Sequence, residues 1–182
     1  MIKKTLVAAL LLLLQLAPLP AGAAQQPDSL AVKIGQMLMI GFRGLSITDA
    51  PGIAVDIRKR HIGGVVLFDY DVPTKSPVRN ISSPEQLSKL TLELTGLSEI
   101  PLLIAIDQEG GKVNRLKSSK GFPPSVSAAH LGALDNRDST TRAALGTAAT
   151  LKKMHIPMNL APVVDLNVNP DNPVIGKLGR SF

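Results

Sequence analysis

No cysteine occurs anywhere in the 182 residues. Disulfides are therefore excluded, and stability has to come from packing. Tryptophan is absent too, and aromatic residues make up only 3% of the chain, although 45% of it is hydrophobic. Lys and Arg form no run longer than Arg58-Lys59-Arg60, and no aromatics are interleaved with the cations. The formal net charge of +6 is spread along the chain, which argues against nucleic acid as a partner. Histidine is scarce, with three residues, His61, His130 and His155, far apart in sequence. No internal repeat or low-complexity segment follows the N-terminal leader.

That leader has the three parts of a secretory signal peptide. Lys3 and Lys4 form a positive start, Val7 to Ala17 an apolar centre broken only by Gln15, and Ala21-Gly22-Ala23 a small-x-small cleavage pattern. Cleavage after Ala23 and a periplasmic or secreted protein, free of the membrane once cut, are expected. The apolar run is short for a bilayer span, so a retained anchor is the less favoured alternative. The absence of cysteine after the run excludes a lipoprotein anchor. The chain thus divides into residues 1–23, a signal peptide, and 24–182, the mature part.

Four apolar runs predict buried strands: Met37–Phe42 (MLMIGF), Gly63–Phe68 (GGVVLF), Leu102–Ile106 (LLIAI) and Met158–Val164 (MNLAPVV). Their near-continuous apolar character suits parallel strands covered on both faces. Met37–Met39 fits equally well at the end of a helix starting near Ser29. Helices are expected between the strands, over Asp49–Arg60, over 82–98 and over Ser139–Met154. In the second of these, Ser83 caps, Pro84 takes the first turn, and Leu87, Leu90, Leu94 and Leu97 share a face. The order is α/β with repeated strand–helix units. A β/α barrel and an open doubly wound sheet both fit, and about four units are visible. A full barrel usually takes about 250 residues.

The stretch PLLIAIDQEGGKVNRL, Pro101 to Leu116, passes from an apolar strand into two carboxylates, two glycines, a lysine and an arginine. In either architecture the carboxyl ends of the strands form the binding face. Asp107 there can accept hydrogen bonds from vicinal hydroxyls, hold a metal, or act as acid, base or nucleophile. Gly110 and Gly111 permit positive φ and close approach. Arg115 offers a planar fork of donors. A plain turn, with Asp107 capping a helix and Arg115 paired to Glu109, is the alternative. Asp165 follows a second apolar strand in the same way, so Asp107 and Asp165 present a carboxylate pair of the kind glycosidases use. No histidine lies in either motif to support a metal pair.

The blocks KIGQMLMIGF, GGVVLF, IAIDQEGGKVNRL, FPPSVSAAHLGA and NLAPVVDLNVNPDNPVIGKLGRSF resemble, in order, those of the family 3 glycoside hydrolases. The DQEGG form is similar to that of the β-N-acetylhexosaminidase branch. The resemblance implies a (β/α)8 TIM-barrel type fold, of which this chain holds about the first half. It implies retaining hydrolysis of terminal β-linked N-acetylglucosamine from glycans such as peptidoglycan fragments, with no cofactor and a carbohydrate substrate. It makes Asp107, Arg115 and Arg180 substrate-binding residues, and turns Asp165 from a catalytic candidate into a residue shaping the rim. In this branch a Lys-His pair in a KHFPGHG-like block follows the GRSF segment, an Asp-His acid/base dyad comes next, and a nucleophilic Asp comes later still. None of these occurs in the 182 residues, so the chain reads as a truncated product, inactive alone and prone to self-association through exposed barrel edges. A β-glucosidase or β-xylosidase of the same family, or a non-catalytic sugar-binding remnant, are the alternatives.

Overall fold

The computed structural model describes residues 29–182, so the leader lies outside the described residues. A compact body runs from Ala31 to Phe182. Its elements follow in the order α1 (Leu30–Gln36), β1 (Met39–Gly41), α2 (Pro51–Arg60), β2 (Gly64–Leu67), α3 (Pro84–Gly96), β3 (Leu103–Ile106), a 3-10 turn (Ser118–Lys120), α4 (Ala128–Leu134), α5 (Arg137–Lys153) and β4 (Met158–Asn159).

The four strands make one sheet in the order β1-β2-β3-β4, and every pairing is parallel. A doubly wound sheet reverses its strand order at a switch point, whereas consecutive barrel units add strands in sequence. The fold is therefore α/β of the barrel type, with four strands of such a barrel present among the described residues.

Register explains which face is covered. Ile40, Val65 and Ile104 lie in one row, and Leu67 pairs with Ile106 on the same face. These residues join Ile53, Ile57, Leu87, Leu90, Leu94, Leu151 and Met154 in a single apolar cluster. The other face carries Met39 opposite Gly64 and Leu103, then Val66 opposite Ala105, which pairs with Met158. On that face Met39, Leu103 and Met158 are exposed. It corresponds to the interior of a barrel.

The helix ends follow the local sequence. Ser83 Oγ accepts from the Gln86 amide at 3.2 Å, Pro84 occupies the first turn, and Gln86 Oε1 accepts from the Ser82 amide at 2.8 Å. Leu87, Leu90, Thr91 and Leu94 are the buried face, and Leu97 packs against the core only in part. Asn136 caps α5 by accepting from the Ser139 amide at 2.9 Å, and the helix starts at Arg137, two residues before the expected start. The ambiguity near Ser29 resolves as helix α1 to Gln36, with β1 reduced to Met39–Gly41. β4 is also shorter than expected, ending at Asn159. The Leu160 amide still donates to the Ile106 carbonyl at 2.9 Å, but Pro162 then has no amide with which to continue a ladder. Helix α4 is not foreseen at all from apolar spacing.

Candidate active site

Because all four strands are parallel, their carboxyl ends share one rim. The segment after β3 builds the centre of it. Gln108 is buried and holds its own loop together. Its Oε1 accepts from the amides of Arg115 and Leu116, both at 3.0 Å, while its Nε2 donates to Asn114 Oδ1 at 2.8 Å. Its amide donates to Asn159 Oδ1 at 3.0 Å, and Asn159 Nδ2 returns a bond to the Gln108 carbonyl, which locks β3 to β4 at the rim. The chain then turns tightly, with the amides of Glu109 and Gly110 both donating to the Val113 carbonyl at 3.1 Å. Gly110 has φ +91° and Gly111 φ +61°, the left-handed region glycine enters without penalty.

This loop returns Arg115 to Asp107. Arg115 Nη2 lies 3.3 Å from Asp107 Oδ2, and both side chains are about a quarter exposed, at 25% and 27%. Two predicted sugar-binding residues are thus in contact and open to solvent. Arg115 does not pair with Glu109, as the plain-turn alternative supposed. Its other nitrogen, Nη1, is 3.5 Å from Oδ1 of Asp69, a carboxylate buried at the end of β2. Lys117 Nζ is 2.6 Å from the other oxygen of Asp69. The Arg115 guanidinium also lies 5.8 Å from the centre of the Phe68 ring, and that of Arg79 lies 4.7 Å from it.

Glu109 has a different partner. Arg180 Nε and Nη2 donate to its two carboxylate oxygens at 2.8 and 2.7 Å, a two-point fork across 71 residues of sequence. The hydrogen bond to Glu109 raises the Arg180 pKa above its ordinary value, and the charges of Asp165 and Asp107 add to the effect. The third predicted binding residue is therefore brought to the same turn, two residues from Asp107. Lys112 Nζ reinforces this approach by donating to the Lys177 carbonyl at 2.8 Å. Asp165 itself is exposed, and its carbonyl accepts from Ser181 Oγ at 2.8 Å.

Two further ties border the site. Lys120 Nζ donates to the carbonyls of Asp69, Pro77 and Ile81 at 3.2, 3.0 and 2.7 Å, joining the loops after β2 and β3; burial pushes its pKa down. Asp71 accepts from Arg43 Nε at 2.9 Å and from Thr74, and these bonds hold its carboxyl below the usual carboxylate range. His61 and His155 stand at helix ends with positive φ, before β2 and β4 and away from the rim. Sequence reasoning missed Asp69 and Gln108. The signal for Asp69 was present, since it follows a buried strand just as Asp107 does.

The Glu109–Arg180 pair is a two-point ion pair that holds a predicted binding residue, with side chains 9% and 22% exposed. Glu109→Gln would leave Arg180 without its counter-charge. A stability loss of about 2–3 kcal/mol is expected, less than the ~3–5 kcal/mol for a fully buried pair because Arg180 retains some solvent. Urea unfolding checks it, and an unchanged midpoint would show the fork to be dispensable.

Residues 29–182 match the glycosyl hydrolase family 3 N terminal domain. The chain is 31% identical over 178 residues to beta-hexosaminidase A of Pseudoalteromonas piscicida, a match covering 89% of this chain and 29% of that protein. It is also 31% identical over 154 residues to an uncharacterized secreted glycosyl hydrolase of Arthroderma benhamiae, covering 84% of this chain and 40% of the other. Among solved structures, a glycoside hydrolase family 3 beta-N-acetylglucosaminidase from Paenibacillus sp. str. FPU-7 superposes with a TM-score of 0.71 at 37% identity, over 80% of this chain and 26% of that one. The chain spans less than half the length of each of these proteins.

Proposed function

The chain belongs to glycosyl hydrolase family 3 through its N-terminal domain, and from this premise we propose that it supplies the sugar-binding part of a retaining β-N-acetylhexosaminidase acting on terminal β-linked N-acetylglucosamine, as in peptidoglycan fragments. The observation that carries this is the contact of Asp107 with Arg115 at the rim, with Arg180 held beside the same turn by Glu109. In this reading Asp107 accepts hydrogen bonds from vicinal sugar hydroxyls, and Arg115 and Arg180 donate to sugar oxygens. The names of the relatives support a hexosaminidase over a glucosidase or xylosidase.

The test uses a protein that carries these residues together with the remaining strands of the catalytic domain. Asp107→Ala removes a charged acceptor worth about 1.5–3 kcal/mol. On a chromogenic N-acetyl-β-glucosaminide, kcat/KM is expected to fall at least about tenfold. An unchanged value would return Asp107 to a turn-forming role. Faster turnover of a β-glucoside or β-xyloside would instead move the substrate to the other branch.

Export is part of the same proposal. The Lys3–Ala23 pattern supports it, a relative is described as secreted, and no helix among the described residues is long and apolar enough to cross a membrane. Protein recovered from the periplasm or medium should begin at Ala24, and N-terminal sequencing that returns Met1 would count against export.

A further inference from the structure

We propose that Asp69 is a positioning residue that keeps Arg115 from closing onto Asp107. The proposal rests on the sugar-binding reading of Asp107 and Arg115 given above. Asp69 is 1% exposed, so it acts through its neighbours rather than on a ligand.

The distances describe a balance. Charge-assisted contacts between a guanidinium and a carboxylate settle near 2.7–2.9 Å. Arg115 reaches neither of its carboxylates that closely, standing 3.3 Å from Asp107 and 3.5 Å from Asp69. It is drawn both ways and saturates neither partner. Asp69 is in turn restrained by Lys117 at 2.6 Å, which takes up its other oxygen and limits its pull on Arg115. Arg115 Nε is buried without a partner, so the side chain holds this intermediate place without an anchor of its own on that nitrogen.

The consequence for a ligand is direct. A closed Asp107–Arg115 pair would spend its lone pairs and donors internally. The stretched pair leaves Asp107 able to accept from hydroxyls and Arg115 able to donate. Asp69 supplies the opposing charge and Lys117 sets how strong it is.

Two variants should shift this balance in opposite directions. Asp69→Asn keeps the shape of the side chain and removes its charge. Arg115 should then contract onto Asp107, to below about 3.0 Å in a crystal structure. Calorimetric titration with N-acetylglucosamine should show binding weakened about five- to tenfold. Lys117→Met frees Asp69, so Arg115 should close on Asp69, to below about 3.0 Å, and move away from Asp107. The NMR resonance of the Arg115 Nε–H gives a solution readout and should shift in both variants, which loss of stability alone would not produce. An unmoved Arg115 in Asp69→Asn, or the same direction of movement in both variants, overturns the proposal. If Asp69→Asn does not fold, Lys117→Met decides alone, and an Arg115–Asp69 distance still at 3.5 Å is the negative result. If the unaltered chain binds no N-acetylglucosamine, the sugar-binding reading fails, while the Arg115 distances still decide the role of Asp69.

Discussion

Purified as the 182-residue chain, or as its mature part, this protein is expected to release no chromophore from an N-acetyl-β-glucosaminide and to elute from gel filtration ahead of a monomer. Retaining hydrolysis needs a nucleophilic carboxylate and a separate acid/base group about 5–5.5 Å apart. The acidic groups at or beside the Asp107 turn are otherwise engaged. Glu109 is gripped at two points by Arg180, Asp69 is buried under Lys117, and Asp107 faces Arg115. By family resemblance none of Asp107, Glu109 and Asp165 takes either role. The association follows from the sheet. Among the described residues the outer edges of β1 and β4 pair with no strand, and an unpaired edge invites another copy. Met39, Leu103 and Met158 add apolar surface on the barrel-interior face, and a closed barrel would cover it. Measurable turnover by a monomer would sink both halves of this expectation and return catalysis to Asp107 and Asp165.

Gly110→Ala should be the most damaging single methyl in the rim. An added Cβ would stand 2.1 Å from the Val126 carbonyl oxygen and 3.0 Å from its carbon, both backbone atoms. The residue would also have to hold φ +91°, where a side chain costs about 1–2 kcal/mol. Overpacking adds about 1–3 kcal/mol. A total near 3 kcal/mol is expected by urea unfolding at fixed protein concentration. Sugar binding should be lost with it, because Glu109 and Arg115 are placed by this turn. Gly146→Ala is the control. Gly146 lies inside α5 with nothing within 4 Å of a new Cβ, and there alanine should stabilise by about 0.5–1 kcal/mol. Equal effects at the two positions would show that the turn tolerates a side chain.

The two central strands were legible because all their residues except exposed Leu103 and half-buried Val66 are buried, which leaves an unbroken apolar run, and Gly64–Leu67 and Leu103–Ile106 fall inside the runs expected for them. The outer strands were overestimated for the converse reason. Met37 and Leu38 are apolar but exposed, and Val164 is 88% exposed, so apolar character there does not report strand pairing. Helix α4 escaped notice because none of its residues is buried and no apolar stripe marks it. Its cap was readable, since Ser127 Oγ accepts from the His130 amide at 3.2 Å. In the site, the sequence placed Asp107, Gly110, Gly111 and Arg115 in one loop, which local spacing can reveal. It could not reveal that Glu109 would pair with Arg180 and Arg115 with Asp69. Those partners lie 71 and 46 residues away, and only the parallel order of β2, β3 and β4 brings them to one rim.

The fork between Glu109 and Arg180 also sets a timetable for synthesis. Glu109 leaves the peptidyl-transfer site 71 residues before its partner, and Lys112 precedes Lys177 by 65. At about 5–20 residues per second, the interval is roughly 4–14 s. Through most of it the partners of Gln108 at Asn114, Arg115 and Leu116 are already synthesised, whereas the counter-ion of Glu109 is not. The bonds within the turn are local in sequence, whereas the arginine that neutralises Glu109 comes from far along the chain.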